Sequence, residues 1–118
     1  MKKIISLSFI ILLPVFLVSN TFGQKIYRVK YESQADLKVY IVNYESQGDL
    51  NVYMVKYESQ ADKDGLWYNV EYESQADFKV YFVEYESQAD LKIYFVDYES
   101  EAGWKNPAKS YLLKFKNH

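Results

Sequence analysis

A 13-residue unit recurs almost unchanged along this chain, and it restricts the fold to architectures that reuse one small element. Tyr-Glu-Ser-Gln begins at Tyr31, Tyr44, Tyr57, Tyr72 and Tyr85, and Tyr98 opens a variant, Tyr-Glu-Ser-Glu. A half unit, Lys25 to Lys30, precedes the first copy. The third interval is 15 residues, its extra pair lying within Asp62-Lys63-Asp64-Gly65. After Ala102 the pattern gives way to a tail with Trp104 and Pro107.

Each unit has two parts. One is a run such as Lys38-Val39-Tyr40-Ile41-Val42-Asn43-Tyr44, whose β-branched and aromatic residues fit a pleated surface. The other is Ser-Gln-Ala-Asp, with Gly48 in place of Ala in one copy. Ser and Asp bond nearby backbone groups and so favour a tight turn. The runs are too short, and too dense in Val, Ile and Tyr, for helices. They predict seven strands, near 25–31, 37–45, 50–58, 66–73, 78–86, 91–99 and 110–116.

A hairpin centred on Gln47-Gly48 would set Tyr44 against Asn51, Val42 against Tyr53 and Ile41 against Met54. Ile41 and Met54 hold equivalent places in their repeats, so one strand fits identical turns at both ends. The expected fold is therefore all-β: an antiparallel up-and-down meander of about seven strands, curled into a barrel or sandwich. The alternative is a parallel β-solenoid with one repeat per coil, which stacks like on like. One strand face carries Leu37, Val39 and Ile41, then Leu50, Val52 and Met54, Phe78, Val80 and Phe82, and Leu91, Ile93 and Phe95. This face is assigned to the core. Arg28 and Asn69 interrupt it.

The first 23 residues read as an address. Lys2 and Lys3 precede an apolar stretch from Ile4 to Val18, and Thr21-Phe22-Gly23 offers small residues for cleavage. The expected organisation is a signal peptide at 1–23 and one β-repeat domain at 24–118, exported to the periplasm or the cell exterior. No stable membrane anchor is expected after cleavage, because the apolar stretch is short for a span. Removing Lys2 and Lys3 from 14 basic residues leaves 12 against 16 acidic ones. Such a mildly acidic, mixed surface is no footprint for nucleic acid. The chain has no cysteine, so packing and backbone hydrogen bonds must hold the fold.

The residues that carry chemistry are sparse. His118, the final residue, is the single histidine, which leaves no base for a serine nucleophile and no zinc ligand set. Gly23, Gly48, Gly65 and Gly103 are scattered, so there is no dinucleotide fingerprint. The oxygen-rich turns, such as Glu45, Ser46, Gln47 and Asp49, lack the dense alternating acids of a calcium loop. No catalytic residue, metal or cofactor is expected. The candidate surface is a tyrosine carpet: Tyr40 and Tyr44, Tyr53 and Tyr57, Tyr81 and Tyr85, Tyr94 and Tyr98. Spacing by four puts each pair on one strand face. Tyrosines beside polar groups suit a glycan, a protein partner or self-association. A second candidate site is where the repeat breaks, at Trp67, Asn69 and Trp104.

The Tyr-Glu-Ser-Gln-Ala-Asp-Leu-Lys-Val-Tyr units, Gly65-Leu66-Trp67-Tyr68 and Ala102-Gly103-Trp104-Lys105-Asn106 resemble a family of short exported Bacteroidetes proteins, a domain of unknown function. The resemblance spans about 25–106. It implies a bacterial source and export, and fixed places for insertion and tail imply a closed fold. It implies no activity. The expected function is a non-catalytic binding or interaction module using the tyrosine face. The alternative is a self-assembling structural protein of the cell exterior, of solenoid or functional-amyloid type.

Overall fold

The computed structural model describes residues 24–114, so the expected leader lies outside the described residues. Each repeat contributes one short strand: β1 (Gln24–Arg28), β2 (Leu37–Ile41), β3 (Leu50–Met54), β4 (Leu66–Asn69), β5 (Phe78–Phe82) and β6 (Leu91–Phe95). These six are all parallel and close into a barrel in the order β1-β5-β2-β6-β3-β4, with β4 pairing back to β1. A two-residue β7 (Gly103–Trp104) lies outside the ring, antiparallel to the start of β3.

Closure is visible in one repeated bond. The N–H of the valine after each strand donates to the next strand round the ring: Val29 to Val80, Val83 to Val39, Val42 to Ile93, Val96 to Val52, Val55 to Trp67 and Val70 to Ile26. Every strand edge in the ring is thereby used. The register slips by two residues at each seam, as in Leu37 against Val80 and Leu50 against Ile93. An offset of two keeps inward-facing positions inward. It also tilts the strands steeply, by roughly 54°, since about 6.6 Å of slip meets about 4.8 Å of strand spacing.

Consecutive strands are not neighbours, apart from β3 and β4. Each of the other connections within the ring passes over one intervening strand, so β1, β2 and β3 form a first lap and β4, β5 and β6 interleave in a second. This overturns the antiparallel meander. A hairpin would reverse the chain beside its own strand, whereas here the chain returns along the outside. The Glu-Ser-Gln triplets, Glu32–Gln34 and its equivalents, form single 3-10 turns on that return path. In each, the Gln N–H bonds the Tyr carbonyl and the next N–H bonds the Glu carbonyl, as in Gln34 to Tyr31 and Ala35 to Glu32. The solenoid alternative is corrected too. One repeat does make one coil, but consecutive coils are separated round the ring instead of stacked. The strand expected at 110–116 is also replaced: Pro107–Leu113 is a 3-10 helix, and residues 115–118 lie outside the described residues.

The barrel interior holds two layers. Leu37, Leu50, Phe78 and Leu91 form the lower, and Ile26, Val39, Val52, Val80 and Ile93 the upper, all essentially buried. At β4 the lower layer has only Gly65, and Trp67 above it is 1% exposed. Leu113 of the tail packs against the same core. Burying a Leu- or Phe-sized side chain contributes about 1.5–3 kcal/mol, so this core is the main source of stability. The core assignment fails at the last position of β2 and β6, where Ile41 is 43% and Phe95 39% exposed, whereas Met54 and Phe82 at the ends of β3 and β5 are half-buried against the core. The strands end there, at the barrel mouth, one step above the packed layers.

Candidate functional site

The aspartate of Ser-Gln-Ala-Asp has a structural task. Asp36 donates its N–H to the Lys79 carbonyl at 2.7 Å, and its carboxylate accepts the Lys79 N–H at 2.8 Å. Asp49 grips Lys92 in this way, Asp77 grips Lys25 and Asp90 grips Lys38. Four seams of the ring therefore carry the same two-bond clamp onto a strand backbone. The glutamate of the motif is also engaged, since Glu32 pairs with Lys38, Glu73 with Lys79 and Glu86 with Lys92. These pairs are solvent-exposed and contribute about 0–1 kcal/mol each.

The pattern breaks between β3 and β4. Asn51 stands where β1, β2, β5 and β6 place Lys, and it is 4% exposed. Its amide donates to Glu45 at 2.9 Å and to the Glu101 carbonyl at 3.2 Å. β7 lies over Asn51, and Lys105 just beyond it pairs with Glu45 at 3.4 Å. The Asn51 amide first, and then Lys105, hold the Glu45 carboxyl below the ordinary value of 4.5. Asp49 then anchors the tail: its carbonyl accepts the N–H groups of Lys105 and Asn106 at 2.8 and 2.9 Å.

Both tryptophans meet at Asp64, within the two-residue insertion. The Trp104 indole donates to its carboxylate at 2.7 Å and the Trp67 indole to its carbonyl at 2.8 Å. Asn69 is not with them; it is exposed at the far end of β4, on the mouth. Gly65 is required here because a Cβ would stand 2.7 Å from both the Asn51 carbonyl oxygen and the Gly103 nitrogen. Gly103 itself has φ +143°, which disfavours any residue with a side chain. The seam opens as a cleft of about 640 Å³, lined by Lys63, Asp64, Leu66, Ser100 and Trp104 among others.

A described family model matches residues 23–105, under the description 7(1) septoil knot domain. The chain belongs to this family. No curated protein and no solved structure matches the chain. The septoil knot agrees with the winding: counting β7 beside β3, the chain visits seven stations, moves two at each connection and laps the axis nearly twice. Knotted chains are rare, and the interleaving of two laps makes this one.

The knot separates the tyrosines of each expected pair. Tyr40, Tyr53, Tyr81 and Tyr94 lie on strands and are half-buried, because return segments cover them; Gly48 sits over Tyr94, with its Cβ position 3.3 Å from the Tyr94 Cβ. Tyr44, Tyr57, Tyr85 and Tyr98 have left the strands to begin the 3-10 turns, and they are exposed. Spacing by four would hold a pair on one face only if the strand ran on through Tyr44, and it ends at Ile41.

A surface that the sequence reading missed lies at the mouth. Round the ring it runs Arg28, Phe82, Ile41, Phe95, Met54 and Asn69. Ile41 and Phe95 are exposed, Phe82 and Met54 half-buried, and the Arg28 guanidinium lies 5.0 Å from the Phe82 ring centroid. The signal was present: these are the positions where Arg28 and Asn69 interrupt an otherwise apolar series.

Proposed function

We propose that this septoil knot is an exported, non-catalytic structural protein that works by associating with copies of itself through side chains on its surface. The observation that carries this reading is the set of six exposed tyrosines, one per coil, each 60–67% exposed, on a barrel whose ring edges are all paired. Closed edges disfavour strand addition, so association of this kind is discrete and not amyloid-like. The recurrent acids, which otherwise invite a catalytic or calcium reading, have partners in the clamps and the Glu–Lys pairs. Sedimentation velocity over a concentration series tests the reading. Reversible oligomers are expected, weakened when Tyr44, Tyr57, Tyr85 and Tyr98 are changed to Ser. Dye-binding fibres, or a monomer at every concentration, would sink it.

A second reading is a binding module at the seam. It draws on the cleft beside Trp104, whose ring supplies an apolar wall for a small ligand. A glycan array probed with the protein, reading Trp104 fluorescence, tests it. A flat array and unchanged emission would end it.

A further inference from the structure

The interleaved winding arranges charge at the mouth in a way the linear sequence conceals. Each strand ends with its valine bond, and the next residue bends away exposed: Lys30, Asn43 and Lys56 on the first lap, and Glu71, Glu84 and Asp97 on the second. The first lap carries no acid at this position, and the second carries nothing else. Because the laps alternate round the ring, the rim reads Lys30, Glu84, Asn43, Asp97, Lys56, Glu71. Acidic and non-acidic positions therefore alternate strictly. Among the described residues, none of these five charged groups makes an ion pair within the chain. Inside this rim lie the apolar side chains of Phe82, Ile41, Phe95 and Met54, with Asn69 and the Arg28 guanidinium beside the Phe82 ring completing the circle.

We propose that two copies of the chain associate mouth to mouth about a twofold axis. The apolar centre of each mouth meets its counterpart, and the charged rims interlock around it. Symmetry makes the alternation decisive. A twofold axis in the plane of the mouth passes either through opposite ring positions or between neighbouring ones. An axis through positions sets acid on acid. An axis between positions sets every acid of one copy against Lys30, Lys56 or Asn43 of the other. A ring with one sign would not be self-complementary in this way. The alternation also has a local benefit, since neighbouring opposite charges attract, but exposed groups without ion pairs gain little from it. An apolar centre within a polar rim is the usual anatomy of a protein interface. An isologous twofold is the commonest way for identical chains to meet.

This inference rests on the self-association reading and places it at the mouth, where each rim residue is followed directly by one of the six exposed tyrosines. The test uses the exported protein and two variants, Lys30→Glu/Lys56→Glu and Glu71→Lys/Glu84→Lys/Asp97→Lys, with circular dichroism to check that each is folded. The wild type is expected at twice the monomer mass in multi-angle light scattering. Each variant alone is expected as a monomer at the same concentration, because like charges now face each other. An equimolar mixture of the two is expected to recover the doubled mass. Raising the salt to about 1 M weakens the wild-type pair, since the rim charges are then screened. Variants that still pair alone, or a mixture that stays monomeric, overturn the mouth-to-mouth arrangement. If oligomers persist in that case, self-association by another surface stands; a wild type that is monomeric throughout removes both. Should a variant fail to fold, zero-length cross-linking of the wild type decides. Lys30 or Lys56 joined to Glu71, Glu84 or Asp97 of a second copy supports the pairing, and intermolecular links confined to other residues overturn it.

Discussion

The Trp104 indole N–H and the Asp64 carboxylate meet at 2.7 Å across 40 residues of chain, beside β3, with which both β4 and β7 pair. Asp64 belongs to no clamp. It takes the place of one by holding β7 in position over Asn51. Trp104→Phe keeps the ring and removes the donor, and about 1–2 kcal/mol of stability is expected to go with it. Asp64→Asn loses the charge and most of the same energy. Urea denaturation of the two single variants and the double variant measures the coupling. If the two losses simply add, the bond is not what joins tail to insertion.

Two glycines are expected to respond oppositely to alanine. At Gly65 a Cβ would lie 2.7 Å from backbone atoms on two strands, which cannot yield without breaking the seam. Gly65→Ala is expected to cost about 2 kcal/mol or more, as overpacking does. At Gly48 the nearest atoms are side-chain carbons at 3.3 and 3.4 Å, and φ is −91°. Ala35, Ala76 and Ala89 hold the equivalent place in other repeats with ordinary extended backbone. Gly48→Ala is expected to stabilise by about 0.4–1 kcal/mol through a less flexible unfolded chain. Thermal melts of the pair give the comparison directly. A Gly65→Ala variant as stable as the wild type would contradict the packing of β7.

These residues also show how far the sequence could be read. The repeat unit, its strand-forming part and the inward positions Val39, Val52, Val80 and Ile93 follow from composition and period alone. Strand direction does not. A unit that is symmetric about Ile41 satisfies hairpin arithmetic and coil geometry equally well. Val42 to Tyr44 have strand-like composition, so the bend after the valine leaves no compositional mark. Which coil lies beside which is a long-range fact, and near-identical repeats do not encode it. The deviations do: Asn51 in place of Lys, the extra Lys63-Asp64, and the change from Lys30, Asn43 and Lys56 to Glu71, Glu84 and Asp97. Trp67 and Trp104 were legible as a pair at the repeat breaks, and the structure joins them through Asp64. Asn69 stood out for the right reason, its polarity in an apolar series, but that series leads to the mouth.

Glu45 gives the seam a dependence on pH. Its carboxyl is held below 4.5 by the Asn51 amide and by Lys105. A group whose value is depressed by folding stabilises the fold above its unfolded value, and that contribution fades as pH falls through the folded value. The stability difference between wild type and Glu45→Gln is therefore expected to be full above about pH 4.5 and to shrink below it. An NMR titration should place the Glu45 midpoint under 4.5, with Lys105→Ala moving it upward. A midpoint at or above the ordinary value would mean that Asn51 and Lys105 do not hold the charge.

Folding should be slow and late. β1 pairs with β4 and β5, β2 with β5 and β6, and no two strands of the first lap are neighbours. The first ladder within the ring cannot form until β4 exists, and the ring cannot close until the second lap has threaded between the strands of the first. Non-local parallel pairing of this kind pays the loop entropy before any contact repays it. A peptide covering 24–62, the entire first lap, is expected to show no β-sheet signal by circular dichroism at any moderate concentration. The whole chain is expected to refold from urea in a single late step, with the Trp67 emission and the far-ultraviolet signal recovering together, on a timescale of seconds or longer. Trp67 reports closure well because it is buried only when β4 lies between β3 and β1. A folded first-lap peptide, or sheet signal that recovers well before Trp67 is buried, would mean that the first lap has structure of its own and that closure of the ring is not the organising event.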